Sequence, residues 1–267
     1  MELYAWREKL APYELAVEEL VIKFRRMMTD YRAASRYSPI EEVTGRVKTI
    51  SSILDKANRK GVELEEIEEK IDDIAGIRII CQFEEDIMTV VEIIRQMRDL
   101  TVVSERDYIT RPKKSGYRSY HVNVLYDVQT IYGCRQIKAE IQIRTLAMNF
   151  WAVIEHSLQY KYNGDIPETV QERLIASARA VQRLDTEMSS IREEVVDSQN
   201  MFRKDAVNVA DILNNLQNLY RIADKDAMLN IQREFYEIYK SGDKEKLKEF
   251  GRQLDELAAD KKAQKLA

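Results

Sequence analysis

In residues 115–145, SGYRSYHVNVLYDVQTIYGCRQIKAEIQIRT, polar side chains recur at every second position. Lys138, Glu140, Gln142 and Arg144 fall on one face of an extended segment and Ile137, Ala139, Ile141 and Ile143 on the other, because successive strand side chains point to opposite faces. That sets an acid, an amide and a base in a row. A second acid opens the apolar run of residues 71–83, IDDIAGIRIICQF, at Asp73. A carboxylate at the mouth of a buried strand is costly unless it is solvated or holds a cation. Paired with Glu140, Asp73 would make a two-carboxylate Mg²⁺ site, with water and phosphate oxygens as the remaining ligands. Upstream in the same stretch, His121 and Asn123 share a face opposite Val122 and Val124, after the loop Ser115, Gly116, Tyr117 and Arg118. An exposed aromatic beside Gly and Arg can stack on a base. An ordinary antiparallel pair with one solvated face carries the same alternation, and Asp72 and Asp73 as the end of the preceding loop is the plain alternative to a cation site.

Two basic segments fit phosphate chemistry. In residues 45–61, GRVKTISSILDKANRKG, Arg46 and Lys48 lie on one side of an extended piece. Ser51 is the expected N-cap, and Ser52, Lys56 and Arg59 fall at i, i+4 and i+7 on one side of the helix that follows, with Ile53, Leu54 and Ala57 on its buried side. Four cations around a helix N-terminus suit a polyphosphate, since orphan N–H groups and the helix dipole add to the side-chain charge. A solvated basic helix face is the plain alternative. There is no Gly-rich Walker loop, which argues against a P-loop enzyme. In the second segment, ERDYITRPKKSGYRSYH, Arg106, Arg111, Lys113, Lys114 and Arg118 surround a Pro/Gly loop ending in an aromatic, suited to a second phosphorylated nucleotide or to single-stranded nucleic acid.

These segments need a scaffold. Apolar residues at three-to-four spacing predict a helix from Leu3 to about Ala34, broken by Ser38 and Pro39. The apolar run at 71–83 is expected to be a central strand in which Gly76 lets a backbone or ligand come close, followed by a helix over 85–98 and a strand over 100–103. Beyond Thr145 the chain is expected to be helical: 146–162 with Asn149, Val153, His156 and Tyr160 along one side, then a long helix over 168–200, then three amphipathic helices in 201–267 that carry no clustered catalytic residue types. His156, near aromatic residues, reads as a packed histidine rather than a catalytic one. The chain of 267 residues has a net charge of −4, so anion binding must come from local patches. Cys81 and Cys134 fit reduced, buried thiols of a cytoplasmic protein; neither a signal peptide nor a transmembrane helix is expected.

Together, RVKTISSILDKANRKG, DIAGIRI, ERDYI with SGYRSYH, and AEIQIRTLAMNFWAVIEHSLQYKY resemble the small alarmone synthetases of the RelA/SpoT group over about residues 3–200. The resemblance implies an α/β (α+β) fold, a mixed β-sheet flanked by helices and related to nucleotidyltransferases, with a synthetase domain at 1–200 and a helical appendage at 201–267. It implies transfer of the β,γ-pyrophosphate of ATP to the 3′-hydroxyl of GTP or GDP, giving pppGpp or ppGpp and AMP in the stringent response. Arg46 and Arg78 would sandwich the adenine, and Lys48, Ser52, Lys56 and Arg59 would hold the ATP phosphates. Asp73 and Glu140 would bind Mg²⁺, with Glu140 also the base. Tyr117 would stack on guanine, with Arg106, Lys113, His121, Gln142, Arg144 and Asn149 around the acceptor. Strict alternation from Asp73 puts Arg78 on the opposite face, so the assignment demands an irregularity at Gly76 or an approach from an edge. A homotetramer is the expected assembly, with pppGpp or single-stranded RNA as candidate regulators. Two histidines, neither followed by Asp, argue against a metal-dependent hydrolase activity, and the length leaves no room for the regulatory C-terminal domains of the long relatives. The rival readings are a pyrophosphokinase acting on adenosine nucleotides or tRNA 3′ ends, and a non-enzymatic RNA-binding module.

Overall fold

The structure, a computed structural model, describes residues 3–161, 167–219 and 225–266. The elements run α1 Leu3–Ala33, β1 Glu42–Val47, α2 Ile50–Lys60, a 3₁₀ turn Leu64–Glu66 leading into the single turn α3 Ile67–Lys70, β2 Ala75–Cys81, α4 Glu84–Gln96, β3 Leu100–Asp107, β4 Tyr120–Thr130, β5 Gly133–Thr145, α5 Leu146–Lys161, α6 Glu168–Leu219, α7 Lys225–Ser241 and α8 Lys244–Leu266. The five strands form one mixed sheet in the order β1-β2-β5-β4-β3. β2 and β5 are parallel and the other neighbours antiparallel. The apolar run expected to be central is therefore the second strand, and the acid-bearing β5 takes the centre.

The odd-numbered side chains of β2, Ala75, Ile77, Ile79 and Cys81, are fully buried and join a core with Leu10, Tyr13, Val17, Leu20 and Phe24 of α1 and Ile87, Val90, Val91 and Ile94 of α4. Their helical spacing explains why these two helices cover that sheet face. α1 lies close over β1: a Cβ at Gly45 would sit 2.6 Å from Val21 and 2.7 Å from Val17, so this strand position accepts no side chain. The even-numbered positions look the other way, toward the polar face.

The chain divides into two compact units, 1–190 and 191–267, and α6 continues through residue 200 without a break. The second unit has its own small core of Ile212, Leu216, Met228, Phe235, Phe250 and Leu254. Its first expected helix is the end of α6; Tyr220 lies outside the described residues. Cys81 is buried as expected, but Cys134 is an exposed free thiol in the strand just after the hairpin turn. Among the described residues no helix is long and apolar enough to cross a membrane.

Candidate active site

Two adjacent rungs of the sheet build the polar face. Arg46, Gly76, Glu140, Asn123 and Ser104 form one rung; Thr44, Arg78, Gln142, His121 and Arg106 form the next. Register alone thus gathers residues from all five strands. Thr44, Arg46, Ser104 and Arg106 at the two edges of the face are exposed, but its β4–β5 centre is not solvated: Glu140 is 8% exposed, His121 6% and Arg144 4%, which rules out the ordinary half-wet hairpin.

Arg78 faces the same hollow as Asp73, and the pairing of β2 with β5 runs through Gly76 without a shift. Alternation misled because Asp73 lies in the turn before β2, where the period of two does not apply. The first hollow, about 230 Å³, is lined by Arg46, Lys48, Asp73, Gly76, Arg78, Glu140 and Gln142 among others. The second, about 600 Å³, shares Arg46, Asp73, Arg78, Glu140 and Gln142 and adds Lys56, Arg106, Lys113, Tyr117, His121 and Arg144. α5 closes it with Ala152, Val153, Glu155 and His156.

The two carboxylates are fixed differently. Asp73 receives Lys48 on one oxygen and Lys56 on the other, each at 2.8 Å. Burial pushes its pKa up, but the two lysines outweigh that and hold it below the usual carboxylate value. Glu140 accepts Gln142 Nε2 at 2.7 Å on one oxygen and faces His121 Nδ1 at 3.0 Å on the other. Here too burial raises and the bonds from His121 and Gln142 more than offset it, leaving the acid anionic at neutral pH. Arg78 is half-buried, and its buried Nε has no partner among the described residues; burial, then the neighbouring cations Arg144 and Arg46, depresses its pKa. A guanidinium left in this way is set for an external acceptor or a planar ring.

Among the described residues no group of three or more His, Cys, Asp or Glu is placed to hold a metal. Asp73 and Glu140 alone supply two anionic oxygen donors to one hollow, and the lysine ammoniums already mark Asp73 as a cation seat. This fits a hard cation such as Mg²⁺, which takes one or two carboxylates and completes its shell from water and phosphate.

Tyr117 differs from expectation in being half-buried rather than exposed. Its ring packs with the cluster of Trp151, Ala152 and Ala178, while Lys113 and Arg144 stand 4.7 and 5.0 Å from its centroid. Gly116 makes this seating possible: its φ is +92°, and a Cβ there would meet Ala178 of α6 at 2.6 Å. Ser52 and Arg59 stand on α2 outside the lining of either hollow; the N-cap is Thr49, which accepts from the Ser52 N–H, and not Ser51. Thr49 precedes the first helical residue, Ile50, whereas Ser51 is already inside the first turn. Asn149 is half-buried and also off the lining, with an amide oxygen that has no partner among the described residues. Arg118 is diverted into structure, bonding the Ile109 carbonyl and Glu84. The side chain of Tyr160 lies outside the described residues. Tyr108 and Glu155 line the larger hollow and were missed. Tyr108 follows Arg106 in the motif ERDYI, but it lies just past the end of β3, where alternation gives no direction.

Residues 45–165 match the region found in RelA/SpoT proteins. GTP pyrophosphokinase YjbM of Bacillus subtilis is 55% identical over 199 residues, 74% of this chain and 94% of the relative. The crystal structure of small alarmone synthetase 1 from Bacillus subtilis bound to its product pppGpp superposes with a TM-score of 0.70 at 56% identity, covering 72% of this chain and 98% of that one. The structure of the same protein bound to AMPCPP gives 0.65 at 51%, with the same coverage.

Proposed function

This chain belongs to the RelA/SpoT family, among the small alarmone synthetases, and on that premise we propose how it acts as a GTP pyrophosphokinase. It moves the β,γ-pyrophosphate of ATP to the 3′-hydroxyl of GTP or GDP, giving pppGpp or ppGpp and AMP. The observation that carries the division of labour is that Asp73 and Glu140 line both hollows, while Lys48 lines only the first and Lys113, Tyr117 and Arg144 only the second.

ATP occupies the side of Lys48, Lys56, Asp73 and Arg78. Arg46 and Arg78 flank the adenine, and the two lysines neutralise its phosphates, with Ser52 and Arg59 along the outer edge of α2. The acceptor occupies the side of Tyr117, its base against the ring and its phosphates toward Arg106, Lys113 and Arg144. Asn149, on α5 beyond the lining of the hollows, offers the acceptor an amide. Glu140 takes the proton of the 3′-hydroxyl; the oxygen forms its bond to the β-phosphorus in line as the bond to the α-phosphate oxygen breaks, and AMP leaves with that electron pair. Asp73 and Glu140 would hold Mg²⁺, which would supply charge neutralisation of the pyrophosphoryl group. Most of the rate enhancement comes from alignment of two polyanions and cancellation of their charge.

The test is anion-exchange chromatography of the protein incubated with Mg²⁺, ATP and GTP. AMP and a more anionic guanosine nucleotide in equal amounts support the reading; the absence of both overturns it.

A further inference from the structure

Glu140 and four other side chains close a hydrogen-bonded ring. Arg144 Nη2 donates to the Tyr117 hydroxyl oxygen at 2.6 Å and to Gln142 Oε1 at 2.6 Å. Gln142 Nε2 donates to Glu140 Oε2 at 2.7 Å. The Tyr117 hydroxyl lies 2.8 Å from His121 Nε2, and His121 Nδ1 lies 3.0 Å from Glu140 Oε1. Donor inventory orders this ring. Arg144 is donor only, so Tyr117 accepts from it and is free to donate its own proton onward; burial raises the Tyr117 pKa and keeps that proton in place. Glu140 can only accept, so His121 Nδ1 carries the hydrogen between them, while Nε2 either accepts from the Tyr117 hydroxyl or donates to its oxygen. Two arms leave one guanidinium and both end on the two oxygens of one carboxylate.

We infer that this ring makes His121 a positioning residue for Glu140, joining the aromatic platform of the acceptor side to the base through the Tyr117 hydroxyl. The inference rests on the pyrophosphate-transfer reading for its kinetic consequence, though not for its geometry. A base that must meet one hydroxyl in line tolerates little misplacement. The ring holds both oxygens of Glu140 and shares two of its members with the wall against which the acceptor lies. Its orientation also sets a limit: with Nδ1 already protonated, His121 steadies Glu140 and does not carry the proton away.

Tyr117→Phe separates the two functions of the tyrosine, because it keeps the ring face and deletes the link. The expected result is a fall in kcat of about tenfold, the size of one lost hydrogen bond, with the KM for the guanine nucleotide unchanged. In His121→Asn the amide nitrogen can take the place of Nδ1 while the Tyr117 link is lost, so this variant should match Tyr117→Phe. His121→Ala should fall further, since Glu140 Oε1 then loses its donor altogether. A wild-type kcat in Tyr117→Phe, a loss carried by KM alone, or equal losses in His121→Asn and His121→Ala would overturn the proposal.

A second readout needs no turnover. With two histidines in the chain, imidazole ¹⁵N spectra of wild type and His121→Asn identify the His121 resonances. A hydrogen-bonded Nδ1–H in the wild type, with an Nε2 signal that shifts in Tyr117→Phe, supports the ring, and an Nδ1 without a hydrogen rejects it. An inactive wild type with that Nδ1–H in place would sink the pyrophosphokinase reading and leave the ring standing.

Discussion

Asp73 and Glu140 face the same cleft, yet the two sides of that cleft hold their acids by opposite means. Asp73, with a side chain 20% exposed, is neutralised by two full charges on flexible stems, Lys48 and Lys56. Glu140, with a side chain 11% exposed, is held by an amide and an imidazole locked into a closed ring. Ammonium groups can leave a carboxylate when a polyphosphate arrives, because anion replaces anion and the lysine stems are long. The ring cannot rearrange so cheaply, since each buried donor would be left unpaired. The donor side is therefore built to exchange partners, and the acceptor side to keep a base in place.

The strongest break in this comparison is Glu140→Gln. Losing the base should lower turnover by about 10³-fold, within the usual range for general-base removal, with the melting temperature little changed. Product formation and thermal unfolding check both halves; turnover that survives removes Glu140 from the base role. The wild-type pH profile adds the sign. Because the Glu140 carboxyl sits below its ordinary 4.5, kcat should stay level as pH falls past that value and drop only beneath it. Next is Asp73→Asn, which removes a cation ligand and frees two lysines. It should cost about 10²-fold in turnover, several kcal/mol of transition-state charge stabilisation, while ATP binding in the absence of Mg²⁺ tightens or stays level. Weaker metal-free binding of ATP would mean that Lys48 and Lys56 need Asp73 to be placed.

Tyr117→Ala should raise the KM for the guanine nucleotide about tenfold, the value of one stacked base, and leave the KM for ATP alone. Equal effects on both substrates would erase the distinction between the two sides. The smallest effect belongs to Asp185, which accepts the Thr145 hydroxyl at 2.9 Å where β5 passes into α5. Burial raises its pKa to about 6 from 3.8, so its favourable contribution is complete below 3.8 and is lost as pH rises through 6. Asp185→Asn keeps an acceptor for Thr145 without the charge, and should raise the melting temperature at pH 7.5 by about 2–4 °C, the worth of one kcal/mol in a chain of this size, with no gain at pH 4.

The helices and the mixed sheet were legible because their apolar periods are long and clean; α1, α4 and β5 end within about two residues of where spacing put them, inside the usual uncertainty of such boundaries. The errors were local. Ser51 was named as the cap in place of Thr49, since both can cap and only the backbone of residue 49 is extended, at φ −64° and ψ 149°. Arg118 was counted with the basic loop, but adjacent residues there point apart, and its guanidinium meets Glu84 and the Ile109 carbonyl instead. Tyr117 was expected in the open because its neighbours are polar, whereas α5 and α6, distant in sequence, supply the wall it packs on.

By itself the sequence determined which side chains share a face. Period-two alternation in residues 137–145 and the basic residues around α2 are local properties, written in the chemistry of neighbouring residues. Only the tertiary structure decided which faces meet. Parallel pairing of β2 with β5 sets Gly76 beside Glu140 and Arg78 beside Gln142, contacts between segments far apart in the chain. Their register is chosen by the burial of Ile77, Ile79, Ile141 and Ile143, since a slip by one residue would turn every one of these side chains to the wrong side.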